Sequence, residues 1–168
     1  MTSIFFSGSS GTGKSSTAIA LGQALNMKVV DGISRNSPFE MHTLEHQKYM
    51  SRNVYATCTS IDNRILCRTP LDVWAYSKAF KINNQVMDED NLVRFIKSDP
   101  TIIYFPPYWK PKNDGFRPTS VDFNAVVDNS ISSIIEEFEL KSYTVKNEPV
   151  KQRVQNIIKF LEDTQWQG

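Results

Sequence analysis

The sequence has few of the features that mark secreted, membrane or metal-scaffold proteins. It contains two cysteines in 168 residues, Cys58 and Cys67, and their spacing fits no metal motif. Two thiols are too few for a disulfide scaffold and agree with a reducing cytoplasm. No apolar run reaches the roughly 18 residues of a membrane span, and the short apolar N-terminus leads directly into glycines, unlike a signal peptide. We therefore expect a soluble cytoplasmic protein.

The chain also has little excess charge of either sign. The net charge is +1, so the overall field does not attract nucleic acid or a membrane. There is no internal repeat, no low-complexity segment and no linker. The length suits one ordinary domain, and the 40% hydrophobic and 22% charged residues are average for a globular protein. These observations predict a single domain spanning 1–168.

Short apolar runs alternate with helical patterns along the whole chain. Strands are predicted at 4–6, 28–31, 61–67, 101–105 and 142–146. Helices are predicted at 14–26, from 37 to about 56, from 69 to about 80, at 88–97, at 121–140 and from about 150 to 161. The third of these helices carries Trp74, Tyr76 and Phe80. The last two have apolar faces, made of Phe123, Val127, Ile131, Ile134 and Phe138 in one and of Val150, Val154, Ile157, Ile158 and Leu161 in the other. The second and third helices begin with capping boxes at 37–40 and 69–72. The alternation predicts a three-layer α/β fold with a parallel sheet.

A phosphate-binding loop follows the first strand. Residues 8–15 read Gly-Ser-Ser-Gly-Thr-Gly-Lys-Ser and fit the pattern G-x-x-x-x-G-K-[ST] completely. Glycines let the backbone N–H groups curl around phosphates, and the following helix adds its positive N-terminal end. Lys14 is expected to reach the β- and γ-phosphates, and the Ser15 hydroxyl is expected to bind Mg²⁺. The predicted nucleotide-binding residues are Gly8, Ser9, Ser10, Gly11, Thr12, Gly13, Lys14, Ser15 and Ser16, with ATP and Mg²⁺ as cofactors.

Several classes of phosphate-loop protein do not fit this chain. The Asn-Lys-x-Asp sequence that a switch GTPase uses for guanine is absent. A transporter-type ATPase needs a signature loop, and an oligomeric motor needs a second helical domain, for which 168 residues leave no room. A basic, proline-rich loop after the fourth strand, and charged residues after the second and third strands, indicate a small-molecule kinase instead.

Four further segments carry a resemblance to a known family. They are Asp31 with Arg35, the run Cys67-Arg68-Thr69-Pro70-Leu71-Asp72-Val73-Trp74-Ala75-Tyr76, the segment Asp114-Gly115-Phe116-Arg117-Pro118, and Arg153-Val154. With the phosphate loop, they make the chain similar to the nucleoside/nucleotide kinase superfamily, in the branch of thymidylate-kinase-like and NadR-type ribosylnicotinamide kinase domains, which includes phage-encoded members. The resemblance spans nearly the whole chain. It implies a five-stranded parallel sheet in the order 2-3-1-4-5 and a lid-like segment at about 107–120.

The resemblance and the strand-end positions suggest roles for individual residues. Asp31 is predicted to be a general base for an acceptor hydroxyl or a ligand of Mg²⁺ or its water, against a simple turn at Asp31-Gly32. Arg35 and Arg68 are predicted to hold phosphate oxygens, against surface salt bridging. Arg117 is predicted to stabilise transition-state charge from the lid, together with Lys110 and Lys112, against a solvated basic loop.

Other residues keep two interpretations. Asp72 is equally suited to capping the third helix and to binding substrate, and Tyr76, with Trp74 and Phe80, forms either an acceptor pocket or core. His42 and His46 lack a metal motif and are read as surface or core residues. Cys67 stands where the family has an aspartate that helps to hold Mg²⁺, so metal binding would depend on Ser15, the phosphates and Asp31.

These features favour a kinase that transfers the γ-phosphoryl group of ATP to a nucleoside or nucleotide. Ribosylnicotinamide is another small acceptor that the resemblance implies, and related kinases are often homodimers. The segment 35–81 has seven basic and four acidic residues, so a hydroxymethyl-pyrimidine base in phage DNA is an alternative acceptor. Because of Cys67, a nucleotide-binding regulator or ATPase without an acceptor also stays open.

Overall fold

A computed structural model of the chain describes residues 2–60, 63–83, 85–108 and 120–164, without the side chains of residues 85 and 86. The described elements are β1 (Ile4–Ser7), α1 (Lys14–Leu25), β2 (Lys28–Val30), a 3-10 turn (Ser34–Asn36), α2 (Leu44–Ser60), β3 (Arg64–Leu66), α3 (Pro70–Ala79), α4 (Gln85–Lys97), β4 (Thr101–Tyr104), α5 (Val121–Glu137), β5 (Ser142–Thr144) and α6 (Val150–Asp163). Strands and helices therefore alternate as the sequence predicts.

The strands form one parallel sheet in the order β2-β3-β1-β4-β5. This confirms the predicted five-stranded sheet and its order. The middle strand is β1, in which Phe5 pairs with Leu66 on one side and Ile102 on the other. The phosphate loop leaves this central strand at its carboxyl end, which is the edge where open α/β sheets bind ligands.

Alternate residues of β1 and β4 contribute to two separate cores, one on each face of the sheet. Ile4, Phe6 and Ile103 face the layer that contains α1 and α6, whereas Phe5 and Ile102 face the layer that contains α3, α4 and α5. All four residues of β1 and of β4 are buried, which explains why these two strands are mainly apolar without a polar alternation. The arrangement is the predicted three-layer fold.

The start of α2 differs from the prediction. The capping box predicted at 37–40 starts no helix: Ser37 is extended and its hydroxyl accepts from Phe39 N at 3.2 Å, as an N-cap would, but residues 38–43 that follow form bends and turns. The helix begins at Leu44, after His42 with φ +74°, and the hydroxyl of Thr43 accepts from His46 N at 3.2 Å. The first turns of the predicted helix are thus replaced by an irregular segment, and Thr43 takes the capping position in place of Ser37.

Smaller differences affect the ends of the other elements. The third strand is shorter than predicted and begins at Arg64, after Asn63 in the left-handed region with φ +65°. The predicted α5 face ends before Phe138, which follows the last helical residue and is 48% exposed. None of the helices in the ranges given above is long and apolar enough to cross a membrane.

Candidate active site

The phosphate loop is shaped by two glycines that no other residue could replace without strain. Gly8 has φ +149°, and a Cβ there would lie 2.5 Å from the backbone oxygen of Phe105 at the end of β4. Gly13 has φ +86° and caps α1, and a Cβ there would lie 2.5 Å from the guanidinium of Arg153 on α6. The loop is therefore packed between the neighbouring strand and the last helix, with a cation at its α1 end.

Lys14 is folded into the phosphate loop. Its ammonium donates to Gly8 O at 2.8 Å, Ser9 O at 2.5 Å and the hydroxyl of Thr12 at 3.1 Å. The residue is 7% exposed. Burial, and then the nearby positive charge of Arg68, lower the pKa of Lys14 to about 7. The catalytic lysine predicted from the sequence thus has all three donor positions occupied by loop oxygens.

The side chains of Ser15 and Asp31 meet at the end of β2. The Ser15 hydroxyl donates to Asp31 Oδ2 at 2.5 Å, and Gly32 N donates to Asp31 Oδ1 at 2.7 Å. This brings together the two residues predicted to bind metal. Among the described residues, no group of three or more histidine, cysteine or acidic side chains is placed to hold a metal ion.

Asp72 fastens the start of the phosphate loop to the N-terminus of α3. The carboxylate is fully buried and accepts from Gly8 N at 2.9 Å, from the Ser7 hydroxyl at 3.1 Å, and from the backbone and hydroxyl of Thr69 at 2.8 and 2.9 Å. Thr69 caps α3 through the predicted capping box. Of the two roles predicted for Asp72, capping of α3 and substrate binding, the structure shows the capping role.

Tyr76 makes a second connection between α3 and the loop. Its hydroxyl lies 2.9 Å from Ser10 N, which donates to it, and 2.8 Å from the Ser10 hydroxyl. Arg68 lies over the Tyr76 ring, with its guanidinium carbon 4.9 Å from the ring centroid. Arg68 also lies 3.5 Å from Gly8 O and 3.8 Å from Asp72 Oδ1. One helix therefore positions both the loop and the arginine beside it.

A cavity of about 910 Å³ opens in front of the phosphate loop. The loop from Ser10 to Ser16 forms its centre, and Asp31, Arg35, Arg68 and Tyr76 also line it. Apart from Phe80, the residues at the two ends of the cavity were given no site role from the sequence. One end is lined by Glu148, Pro149, Val150 and Arg153, and the other by Ile33, Met41, His46, Gln47, Met50, Val73 and Phe80.

Several predicted site residues do not line this cavity or cannot be placed. Gly8, Ser9, Asp72 and Trp74 do not line the cavity, whereas Phe80 does. Arg117, with Lys110 and Lys112, falls outside the described residues, as does most of the predicted lid at 107–120.

His46 and Cys67 are two buried residues that line the cavity, and the sequence allowed them to be predicted to different extents. His46 is 3% exposed, its Nδ1 lies 2.9 Å from the Ser37 hydroxyl, and burial lowers its pKa. It therefore belongs to the buried wall and not to the surface, and no motif around it could have indicated this. Cys67, predicted as the last residue of the third strand, comes directly after β3, and burial followed by the charge of Asp31 raises the pKa of its thiol to about 12. A neutral thiol is a poor ligand for Mg²⁺.

Solved structures share this architecture over nearly the whole chain. A deoxyadenosine kinase from M. mycoides superposes with a TM-score of 0.69 at 15% identity, over 96% of this chain and 99% of that one. A thymidylate kinase from Candida albicans gives 0.70 at 16% identity, over 98% and 92%. A NadR protein gives 0.73 at 14% identity, over 96% of this chain and 50% of that one. The chain has the fold of the P-loop kinases. No protein-family model and no curated protein sequence matches it.

The connection between Tyr76 and Ser10 predicts a stability effect. Tyr76→Phe removes the hydroxyl that accepts from the buried Ser10 N–H, so the free energy of unfolding should fall by about 1–3 kcal/mol. Denaturant unfolding measures this, with Tyr55→Phe on the half-buried face of α2 as the matched control. Equal stability of Tyr76→Phe and the wild type would show that the hydroxyl does not hold the loop.

The position of Lys14 predicts proton uptake on nucleotide binding. With a pKa of about 7 in the free protein, Lys14 is mostly neutral at pH 8, and contact with phosphates would restore its charge. ATP binding at pH 8 should therefore take up about one proton, and affinity should decrease as the pH rises above 7. Calorimetry in two buffers of different ionisation enthalpy measures the uptake, and Lys14→Met should abolish it. Identical uptake by Lys14→Met would assign the proton to another group.

Proposed function

We propose that the protein is a phosphotransferase that uses ATP and Mg²⁺ and transfers the γ-phosphoryl group to a nucleoside or nucleotide. The observation that carries this proposal is the shared cavity of about 910 Å³, with the phosphate loop at its centre and a separate wall from α2 and α3 beside it. This volume is near the upper end of the roughly 300–1,000 Å³ range of ligand pockets. The fold supports the proposal, since the solved structures with this architecture include a deoxyadenosine kinase and a thymidylate kinase.

The phosphate end of the cavity has the groups that phosphoryl transfer needs. Catalysis of this reaction consists mainly of positioning the reactants and stabilising the negative charge spread over the transferred group. Lys14 would leave the oxygens of Gly8 and Ser9 and donate to the β- and γ-phosphates. Arg35 and Arg68 line the same cavity and supply planar guanidinium groups that match phosphate oxygens.

The oxygen atoms of Ser15 and Asp31 fit a magnesium ion that is also bound by phosphates. Mg²⁺ prefers hard oxygen ligands and is commonly held by one or two carboxylates together with substrate phosphates. A hydroxyl and a carboxylate 2.5 Å apart at the start of α1 meet this description. When bound, the ion would neutralise part of the phosphate charge. The thiol of Cys67 would contribute no metal ligand.

The same contact favours one of the two proposed roles of Asp31. Both of its oxygens are engaged, one with the Ser15 hydroxyl and the other with Gly32 N. A carboxylate bound to the hydroxyl that ligates Mg²⁺ is placed to hold the ion or its water. Removal of a proton from an acceptor hydroxyl would require Asp31 to turn away from Ser15. We therefore propose the metal role first and the general-base role second.

The lid arginine remains part of the proposal on sequence grounds. Arg117, with Lys110 and Lys112, would close over the phosphates and add positive charge during transfer. Arg117→Ala should then lower kcat much more than ATP affinity. Unchanged kcat would remove Arg117 from the catalytic group.

A screen with radiolabelled ATP tests the proposed reaction. We expect transfer of label to at least one nucleoside or nucleotide, with ribosylnicotinamide and hydroxymethyl-pyrimidine DNA included as alternative acceptors. Lys14→Met should lose activity by at least about 100-fold, whereas Lys151→Met, on the exposed side of α6, should retain it. Release of inorganic phosphate with no labelled acceptor would make the protein an ATPase and overturn the proposal.

Magnesium titration separates the two roles of Asp31. If Asp31 holds the metal, Asp31→Asn should raise the Mg²⁺ concentration for half-maximal rate by about tenfold or more, because one of few oxygen ligands loses its charge. If Asp31 is a general base, kcat should fall by about 10²–10⁴-fold at every Mg²⁺ concentration, with an unchanged midpoint. Wild-type turnover and an unchanged midpoint would contradict both roles.

A further inference from the structure

The phosphate loop holds its own lysine partly through the side chain of Thr12. This residue is 2% exposed, and its hydroxyl accepts a hydrogen bond from Lys14 Nζ at 3.1 Å. The same hydroxyl donates to Ser9 O at 3.0 Å. With the contacts of Nζ to the backbone oxygens of Gly8 and Ser9, it defines the folded-back position of Lys14. Thr12 thus lies between the start of the loop and the ammonium that is expected to meet phosphates.

The neighbours of Thr12 determine the directions of its hydrogen bonds. A threonine hydroxyl has one proton, and a carbonyl oxygen can only accept, so this proton is used by Ser9 O. The charged ammonium of Lys14 can only donate, so it takes a lone pair of the Thr12 oxygen. To donate to a phosphate, Thr12 would have to give up Ser9 O. The hydroxyl is therefore arranged to bind the lysine and not a phosphate.

The charge of the lysine makes this contact stronger than an ordinary hydrogen bond. Lys14 is 7% exposed, and burial of an ammonium is costly unless acceptors surround it. Arg68 adds positive charge nearby, whereas Asp72 and Asp31 add negative charge. Hydrogen bonds to an ionised group are about twice as strong as those between neutral groups. The Thr12 oxygen therefore helps to keep Lys14 in the folded-back position.

Lys14 can leave this position without stranding the two carbonyls that it contacts. Ser9 O keeps the hydrogen bond from Thr12, and Gly8 O has the guanidinium of Arg68 at 3.5 Å as a second donor. Buried carbonyls that lost every donor would make the movement costly. Movement of the lysine therefore costs mainly its own three contacts. Thr12 supplies the one of these three that comes from a side chain, and so the one that a substitution can remove.

We propose that Thr12 is a positioning residue that lowers the affinity of the loop for phosphates, because it holds Lys14 in the folded-back position with which a nucleotide must compete. Stabilising a conformation that a ligand does not use weakens the binding of that ligand in proportion. The effect extends to every ligand that draws Lys14 onto a β-phosphate, including the product ADP. This inference rests on the proposed binding of ATP, but not on transfer to an acceptor.

Thr12→Val tests the proposal, because valine has nearly the shape of threonine but no oxygen for Lys14. Binding of AMP-PNP, ADP and inorganic tripolyphosphate is measured by calorimetry at pH 6, below the Lys14 pKa of about 7, so that the lysine of the wild type is charged. The variant should bind all three ligands about three- to tenfold more tightly than the wild type, as expected for the release of one hydrogen bond. A loop that was merely distorted would bind them more weakly.

Three comparisons separate the hydroxyl from other effects. Thr12→Ser keeps the oxygen and should bind the three ligands like the wild type. Thr59→Val makes the same substitution at an exposed position of α2 and should leave binding unchanged. AMP lacks the β- and γ-phosphates that Lys14 is expected to reach, so its affinity should be equal in Thr12→Val and the wild type. If Thr12→Val does not fold, Thr12→Ala removes the same oxygen and should give the same gain.

The possible outcomes separate this inference from the proposed function. Unchanged or weaker binding of the three ligands by Thr12→Val would overturn the role of Thr12, even if the protein transfers phosphate from ATP. An equal gain for AMP would also overturn it, since the effect would not act through Lys14. A gain confined to ligands with a β-phosphate, in a protein that phosphorylates no acceptor, would support Thr12 and overturn the kinase proposal. If the wild type binds none of these ligands, both proposals are wrong.

Discussion

The buried carboxylate of Asp72 is the contact on which the geometry of the site depends. It accepts from the backbone of Gly8 and from the hydroxyl of Ser7, so it determines where the phosphate loop leaves the central strand. It also accepts from both donors of Thr69 and so completes the N-terminus of α3. A buried carboxylate is tolerated only when such donors surround it. The start of the loop and the start of α3 are therefore fixed together.

The rest of the phosphate end follows from that junction. With the loop in place, Lys14 turns back onto its oxygens and Ser15 meets Asp31 at the end of β2. The parallel sheet brings β1 and β2 to the same edge although β3 lies between them. Arg153 approaches from α6 on the opposite side of the loop. With Asp72, the charged residues Lys14, Asp31 and Arg153 thus come to one small region from four separate parts of the chain.

Much of this arrangement could be predicted from the sequence because it depends on local patterns. The apolar strand, the glycines and Lys14 specify the loop, and Thr69 with Asp72 specifies the start of α3. The start of α2 was predicted wrongly because two hydroxyl residues can cap it: Ser37 makes a capping contact with Phe39 N, but His42 lies in the left-handed region and the helix starts only after Thr43. The cavity wall around His46 and Gln47 could not be predicted, since it arises where α2 and α3 pack against each other and has no sequence motif.

Helix α3 contacts both the phosphate loop and the far wall of the cavity, so it can couple ligand binding at the two ends. Tyr76 holds Ser10 of the loop, while Val73 and Ser77, on the same helix, hold the amide of Gln47. A ligand that shifts α3 by occupying one end must therefore change the free energy of binding at the other. Such coupling is reciprocal, so each substrate would alter the affinity for its partner by the same factor. A single short helix therefore provides a physical connection through which binding at the two ends of the cavity would be coupled.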